Sequence, residues 1–313
     1  MRAGNGKSQP SQVSLWDWRM GSIMINIEEV AENTYRMEVL IRGVDTLFAV
    51  YFIRDEKGVL LEPGPTSAVP FIQQAMGHLG MKDLAYIIPT HIHMDHAGAL
   101  GTLAQLFPRA KVLLHPRGAK HVIDPSRLVE STRMAFGDDF EDLYGPILPV
   151  SDSQVQTPED GEKIPLNGRE LQIVYSPGHA PHHLAVFDYK TKGIFSGEAL
   201  GLPLPEAKLS PLPAAAPPSF DMEEYLESMA KLKRLHPRII FYSHDGVGKN
   251  PDQLISQAEE NTKIVGHIIL NTLREGHDTK SVRSRLQESI GVVDEMSLMG
   301  FVHYFQKNRL FQG

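Results

Sequence analysis

The hydrophobic pattern of the first half of the chain is strand-like before it is helical. Apolar residues alternate or run together over 25–30, 34–41 and 47–53, and a short run over 58–61 follows the polar turn signal Arg54-Asp55-Glu56-Lys57. The last two runs therefore read as a hairpin. Over 67–79 the period changes: Val69, Ile72, Met76 and Leu79 recur at helical spacing behind a Ser67 or Thr66 cap. A buried strand is predicted over 84–88, a helix over 99–107, a short strand over 111–114 and weaker helices around 116–145. After a polar linker over 151–163, strands are predicted over 170–175, 184–189, 193–196 and 238–242. The last two are separated by a Pro-rich loop over 201–219 and by a helix that starts at Asp221, where Glu224 completes a capping box. Helices near 252–274, 279–289 and 295–307 close the chain. Strand runs interleaved with helices in both halves predict an α/β layered protein.

Length and composition narrow this picture. The 313 residues allow two ordinary domains or one large layered one, and 42 % apolar with 22 % charged residues is the balance of a folded globular chain. Residues 1–23 are rich in Gly, Ser, Gln and Arg without an apolar core, so they read as a flexible extension and not as a secretory signal. The expected organisation is that extension, a catalytic domain over 24–250, and a helical segment over 251–313 that packs on the same domain or forms a homodimer interface. Lys and Arg total 31 against 38 Asp and Glu, a net charge of −7, with no long basic run. Nucleic acid and anionic membranes are therefore disfavoured as partners, a small-molecule substrate is favoured, and a cytoplasmic location is expected. The chain has no Cys, which removes thiolate zinc sites and cysteine nucleophiles, whereas its 14 His supply nitrogen ligands generously.

Residues 90–99 read Thr-His-Ile-His-Met-Asp-His-Ala-Gly-Ala, placing His91, His93, Asp95 and His96 in six positions directly after an apolar strand. In an extended segment His91, His93 and Asp95 would share one face, and a turn into the next helix would bring His96 alongside. Three later strands end in the same way: at His179 in Ser176-Pro177-Gly178-His179-Ala180-Pro181-His182-His183, at Glu198 in Phe195-Ser196-Gly197-Glu198, and at His244 in Phe241-Tyr242-Ser243-His244. Ligand-type residues delivered from several strand ends converge on one edge of a sheet. Neutral imidazole and carboxylate suit zinc, with iron or manganese as alternatives. Glu62, His182, His183 and His115 are candidates for contacts that support the ligands or touch substrate. His78, His121, His236, His267, His277 and His303 are assigned surface or packing roles.

The spacing H-x-H-x-D-H, followed by a later His, an acidic residue and a final His, resembles the metallo-β-lactamase-fold hydrolase superfamily over about residues 25–244. That resemblance implies a four-layer αββα sandwich with additional C-terminal helices and a dinuclear site at one sheet edge. By motif position it implies His91, His93 and His179 on one divalent ion, Asp95, His96 and His244 on a second, and Glu198 bridging both. The superfamily normally has Asp where this chain has Glu198, and Asp also where Glu62 stands. The longer side chain would carry its carboxylate about 1.5 Å further out unless the backbone retreats. The expected activity is metal-dependent hydrolysis of a small ester, lactone or thioester by a hydroxide held between the ions, with Asp95 orienting it or moving a proton. The lactonase and glyoxalase II branch looks nearest. The alternatives are an iron-dependent persulfide dioxygenase and a ligand-binding descendant of low activity.

Overall fold

The computed structural model describes residues 26–40, 47–138, 140–244 and 246–311. The expectations for residues 1–23, and the start of the first strand at residue 25, lie outside them. Among the described residues thirteen strands are formed: β1 Ile27–Ala31, β2 Thr34–Leu40, β3 Leu47–Ile53, β4 Val59–Leu61, β5 Tyr86–Ile88, β6 Lys111–Leu113, β7 Val155–Gln156, β8 Lys163–Leu166, β9 Arg169–Tyr175, β10 Leu184–Asp188, β11 Gly193–Gly197, β12 Ile239–Tyr242 and β13 Val247–Gly248. The α-helices are α1 Val69–Leu79, α2 Met94–Ala97, α3 Leu100–Leu106, α4 Pro116–Ile123, α5 Ser126–Phe136, α6 Phe140–Tyr144, α7 Met222–Lys233, α8 Pro251–Arg274, α9 Thr279–Ile290 and α10 Glu295–Lys307.

The strands make two mixed sheets, ordered β1-β2-β3-β4-β5-β6-β7 and β13-β12-β11-β10-β9-β8. Strand β3 shows why they stack. In Leu-Phe-Ala-Val-Tyr-Phe-Ile every residue after the first is buried. Phe48, Val50 and Phe52 point to an outer layer with Ile72 of α1 and Leu103 of α3. Ala49, Tyr51 and Ile53 point inward against Phe195 and Phe241 of the second sheet. A continuous apolar run is what a strand covered on both faces requires. The second sheet repeats the arrangement, with Phe187 and Ile240 facing Tyr225 of α7, Ile269 of α8 and Phe301 of α10. The molecule is thus an αββα sandwich, and α8–α10 lie on the outer face of the second sheet of their own chain.

Two parts of the predicted linker are strands: β7 and β8 lie at the free edges of the two sheets. Each is too short for a period to show, and β8 contains Pro165, a residue that sheets accept at an edge. In the Pro-rich loop, Leu204 and Leu209 pack against the helical side of the second sheet.

The fold aims its strand ends. β4, β5 and β6 are mutually parallel. In the second sheet β9 and β11 are both antiparallel to β10, and β12 is parallel to β11, so these three share a direction. Cross-sheet ties hold the two edges together: Ala49 N–H donates to the Ser243 carbonyl at 2.8 Å and Leu184 N–H to the Thr90 carbonyl at 2.8 Å. Phe48 and His244 form an isolated antiparallel bridge.

His115, one of the sequence candidates, follows β6 and caps α4, its Nδ1 accepting from the Arg117 N–H at 3.1 Å while its ring lies 4.1 Å from that of Tyr175. Burial, and then the Arg117 charge, push its pKa down to about 4. The unfolded chain therefore takes up this proton first, and the stabilisation present above the ordinary value near 6.5 is lost as pH falls from there towards 4. Replacing His115 with Asn, which can cap but not titrate, should leave a smaller loss of urea midpoint between pH 7 and pH 4.5 than the wild type suffers. An equal loss in both proteins would show that His115 contributes nothing to acid lability.

Candidate metal centre

The histidine-rich segment does not remain extended. His91 and His93 leave β5 in irregular backbone, His93 stands at the N-terminus of α2, and Asp95 and His96 come from that single helical turn. The helical turn, in place of strand alternation, sorts the side chains into two groups, His91, His93, His179 and Glu198 in one and Asp95, His96 and His244 in the other. Within each group the ligand-type atoms lie within 4.8 Å of one another.

Hydrogen bonds at the far ring nitrogens decide what each imidazole presents to the centre. The Nδ1–H of His96 donates to Glu62 Oε2 at 2.5 Å, that of His179 to the Ala214 carbonyl at 2.9 Å, and that of His244 to the Leu47 carbonyl at 3.3 Å. In the neutral form each of the three offers an Nε2 lone pair to the centre. Burial opposes a proton on His96 and His179, but Asp95 and Glu62 at His96 and Glu198 at His179 outweigh it and raise both pKa values, so a cation would take the place of a proton at those two nitrogens. His91 is held through Nδ1 by Thr90 Oγ1 at 3.1 Å. His93 is reversed: its Nδ1 lies 2.8 Å from His91 Nε2 and 3.1 Å from His179 Nε2.

Glu198 joins the two groups. Its Oε2 lies 2.9 Å from His179 Nε2, 3.4 Å from His91 Nε2 and 3.5 Å from His96 Nε2, and its Oε1 lies 3.9 Å from His244 Nε2. A backbone irregularity sets the point from which the Glu198 carboxylate reaches. The register between β11 and β12 shifts between Phe195 and Gly197, and Gly197 adopts φ +52°. A Cβ there would stand 2.4 Å from Thr90 Oγ1 and 2.6 Å from His183 Nε2, so only glycine allows the approach. His183 then fixes the next residue: its Nε2 accepts from the Glu198 N–H at 3.3 Å while its Nδ1–H faces Ser176 Oγ at 2.8 Å. Glu62 is buried at φ +54°, with Oε1 accepting from the Thr90 N–H at 2.6 Å and Oε2 from His96.

The electrostatics are those of a site built for a cation. Burial disfavours charge on Glu198, but His179 and His96 outweigh it and hold its carboxyl well below the usual range. Burial likewise opposes ionisation of Asp95, and His96 reverses this. Burial and the neighbouring imidazoles keep His91 and His93 neutral, His93 being pushed down to about 4. The cavity in front, about 490 Å³, is lined by Asp95, Glu198 and Asp294 without a Lys or Arg among the described residues. His96 Nε2 is buried with no hydrogen bond, and three ring nitrogens crowd within about 3 Å where at most a proton could separate any two. Converging lone pairs, ionised carboxylates and an orphaned nitrogen fit divalent metal, whose binding displaces protons from such groups.

Of the remaining candidates, His182 lies beside His93 with its ring centroid 5.9 Å away and a buried, unpaired Nδ1, whereas His115 lies outside the cluster. Thr90, Ser176, Gly197 and the carbonyls of Leu47 and Ala214 support the centre without having been singled out from the sequence. Backbone carbonyls carry no residue-type signal, although Gly197 directly before an acidic strand end could have been noticed.

Two substitutions test this construction. Glu198→Asp shortens the reach by about 1.5 Å from a backbone position fixed by the bulge at Gly197, so metal retained after dialysis, measured by elemental analysis, should fall about tenfold or more in affinity. Unchanged affinity would mean that the bulge does not set the carboxylate's position. Glu62→Gln sets an amide N–H against His96 Nδ1 or against the Thr90 N–H, and should weaken metal binding about 10- to 100-fold with little change in the circular dichroism spectrum.

The family model described as the metallo-beta-lactamase superfamily matches residues 48–244. The chain is 30 % identical over 172 residues to the metallo-beta-lactamase fold-containing protein ST1585 of Sulfurisphaera tokodaii, over 53 % of this chain and 62 % of that one. The solved structure of ST1585 superposes with a TM-score of 0.59 at 24 % identity, covering 82 % and 92 % of the two chains. That of the family protein TTHA1429 from Thermus thermophilus gives 0.66 at 20 % identity, covering 88 % and 94 %. The atrochrysone carboxyl ACP thioesterase of Aspergillus fumigatus is 24 % identical over 56 % of this chain and 42 % of its own. By sequence, then, the chain spans less than two thirds of the first and last of these relatives. Because the matched family model begins at Phe48 and ends at His244, enclosing every residue of the two ligand groups, the chain belongs to the metallo-beta-lactamase superfamily of metallo-hydrolases.

Proposed function

We propose that the chain hydrolyses the carbonyl of a small ester, lactone or thioester, using two divalent ions, preferably zinc, held by His91, His93 and His179 and by Asp95, His96 and His244, with Glu198 between them. The observation that carries this reading is the meeting of both ligand groups on one carboxylate at the floor of a cavity with apolar walls. When bound, the ions supply a hydroxide near neutral pH and polarise the carbonyl oxygen. The chain's own residues then have two tasks.

The walls hold the acyl group. Leu202 adds apolar surface, and Ala214, Ala215, Ala216, Pro217 and Pro218 are short or rigid and have no rotamer entropy to lose. The loop is fixed from behind, where Ser297 Oγ accepts from the Ala215 N–H at 3.0 Å and donates to the Pro213 carbonyl at 2.9 Å, and Asn261 Nδ2 donates to the Pro211 carbonyl at 2.8 Å. Asp95 moves the proton. Its side chain is the most open of the carboxylates in the cluster, with Oδ2 3.2 Å from His96 Nε2 and 3.8 Å from His244 Nε2, so one oxygen faces charge-stabilising imidazoles while the group borders the cavity. Water oxygen bonds to the acyl carbon, the bond to the leaving oxygen or sulfur breaks, and the proton released by water ends on that leaving atom. The name of the Aspergillus relative supports thioesters among the three classes.

Purified protein analysed for metals and screened on ester, lactone and thioester panels tests the reading. Metal near two per chain, activity lost on chelation and in His93→Ala, and a fall of about 10²- to 10⁴-fold in kcat for Asp95→Asn are expected. Metal-replete protein inert on every carbonyl compound, or one that consumes oxygen with a persulfide, overturns it.

A further inference from the structure

A second groove opens beside the metal cluster, and its chemistry is the opposite of the first. It is about 860 Å³ in volume and shares His93, Leu128, Ser131 and Ser219 with the acyl cavity, so the two are continuous across the ligand His93. Arg117, Lys120, His121 and Arg127 line it, and among the described residues no Asp or Glu does. In a chain of net charge −7 this is a local reversal of sign. Among the described residues none of the four makes an ion pair within 4 Å, and the one side-chain hydrogen bond from this set is that of Arg117 to the Pro181 carbonyl at 3.4 Å. Asp124, the carboxylate between α4 and α5, accepts from the Ser126 N–H and hydroxyl and does not line the groove.

Arg117 and Lys120 stand at positions i and i+3 of α4, where like charges repel, although Lys120 in the last turn also meets the favourable end of the helix dipole. Arg127 stands in the first turn of α5, which has no acidic residue, at the end where the helix dipole disfavours a cation. Burial, then Lys120 and Arg127, lower the pKa of His121 against the opposing pull of Asp124, so the charge of the groove is carried by Arg117, Lys120 and Arg127. Unpaired cations converging on a cleft beside a cluster of ligand-type residues form a ready site for an anion.

We infer that this groove binds the anionic half of the substrate: the leaving group carries phosphate or carboxylate and lies along Arg117, Lys120 and Arg127, while the acyl group lies between Ala214 and Pro218. The substrate class is thus an acyl ester or thioester with an apolar acyl end and a negatively charged leaving group, joined at the carbonyl over His93. This rests on the hydrolytic reading for turnover but not for binding.

Metal-replete wild type is compared with the triple variant Arg117→Gln, Lys120→Gln and Arg127→Gln, and with the charge-conserving triple Arg117→Lys, Lys120→Arg and Arg127→Lys. The thioesters share one acyl group on coenzyme A (phosphates), glutathione (carboxylates) or N-acetylcysteamine (neutral). Wild type should prefer an anionic thioester to the neutral one in kcat/KM at low salt, and the preference should shrink at 0.5 M salt. The neutralised triple should lose about tenfold of that preference, the size expected of three exposed charge pairs, and the charge-conserving triple should keep it. Whichever anionic arm shows the effect identifies the anion. Equal kcat/KM on charged and neutral thioesters, or an unchanged preference in the neutralised triple, overturns the inference. Calorimetric titration with coenzyme A and with glutathione reads the groove without turnover. If no thioester is hydrolysed but one of these thiols binds wild type and binds the neutralised triple about tenfold more weakly, only the hydrolytic reading fails. If neither binds wild type and none is hydrolysed, both fail.

Discussion

The constraint on which the structure depends is the crowding of Lewis bases at the junction of two sheets. His93 Nδ1 lies 2.8 Å from His91 Nε2 and 3.1 Å from His179 Nε2, and Glu198 and Asp95 add negative charge to a pocket that burial has taken from water. Unscreened, such a cluster would push the two sheet edges apart. What fixes it in place lies one layer out, in Glu62, Thr90 and the carbonyls of Leu47 and Ala214, which hold the far nitrogens of His96, His91, His244 and His179 so that the near ones face the centre. These anchors come from both halves of the chain, as do the ties between Ala49 and Ser243 and between Leu184 and Thr90. Assembling the centre and joining the sheets are one event.

Two carboxylates are longer here than is usual in the superfamily, and they lie on opposite sides of His96. Glu62 reaches its Nδ1, and Glu198 lies 3.5 Å from its Nε2. Gly197 in a bulge and Glu62 at positive φ set the backbones from which the two carboxylates approach that ring.

Much of this was legible in the chain. The strand-end positions of His91, His179, Glu198 and His244 followed from apolar runs ending in ligand-type residues, because a buried strand and a polar terminus are both local signals. Asp95 falls in the group expected for it, but its expected extended backbone, sharing a face with His91 and His93, is instead a helical turn, since α2 is one turn long and no period reveals it. His183 was a candidate, but whether it supported the site or packed depended on which of its neighbours came to face it. Its use of both ring nitrogens, one towards Ser176 and one towards the Glu198 N–H, is a tertiary fact. The basic groove escaped for a different reason: Arg117, Lys120 and Arg127 are ordinary surface residues by composition, and His121 was assigned to the surface with them. Only the packing of α4 and α5 beside His93 gives them a common address.

The C-terminal helices acquire a purpose from the same geometry. They are not needed to close the sandwich at the metal edge, yet α10 approaches the Pro-rich loop so closely that a Cβ on Gly300 would stand 2.1 Å from the Ala215 carbonyl. Ser297, one turn earlier, binds that loop at both Ala215 and Pro213. The Pro-rich loop is tied to itself by the Leu202–Leu212 bridge and to the helices behind it through Tyr225 of α7, Asn261 of α8 and Ser297 of α10. Under the proposed function the width of the apolar cavity is set by these helices together, whereas the ligand-type residues stand at the sheet edges and α4 and α5 form the opposite flank. On that proposal, changes in the C-terminal segment retune which acyl groups enter without moving a ligand-type residue, and this separation lets a sandwich with a fixed centre serve substrates of different shape.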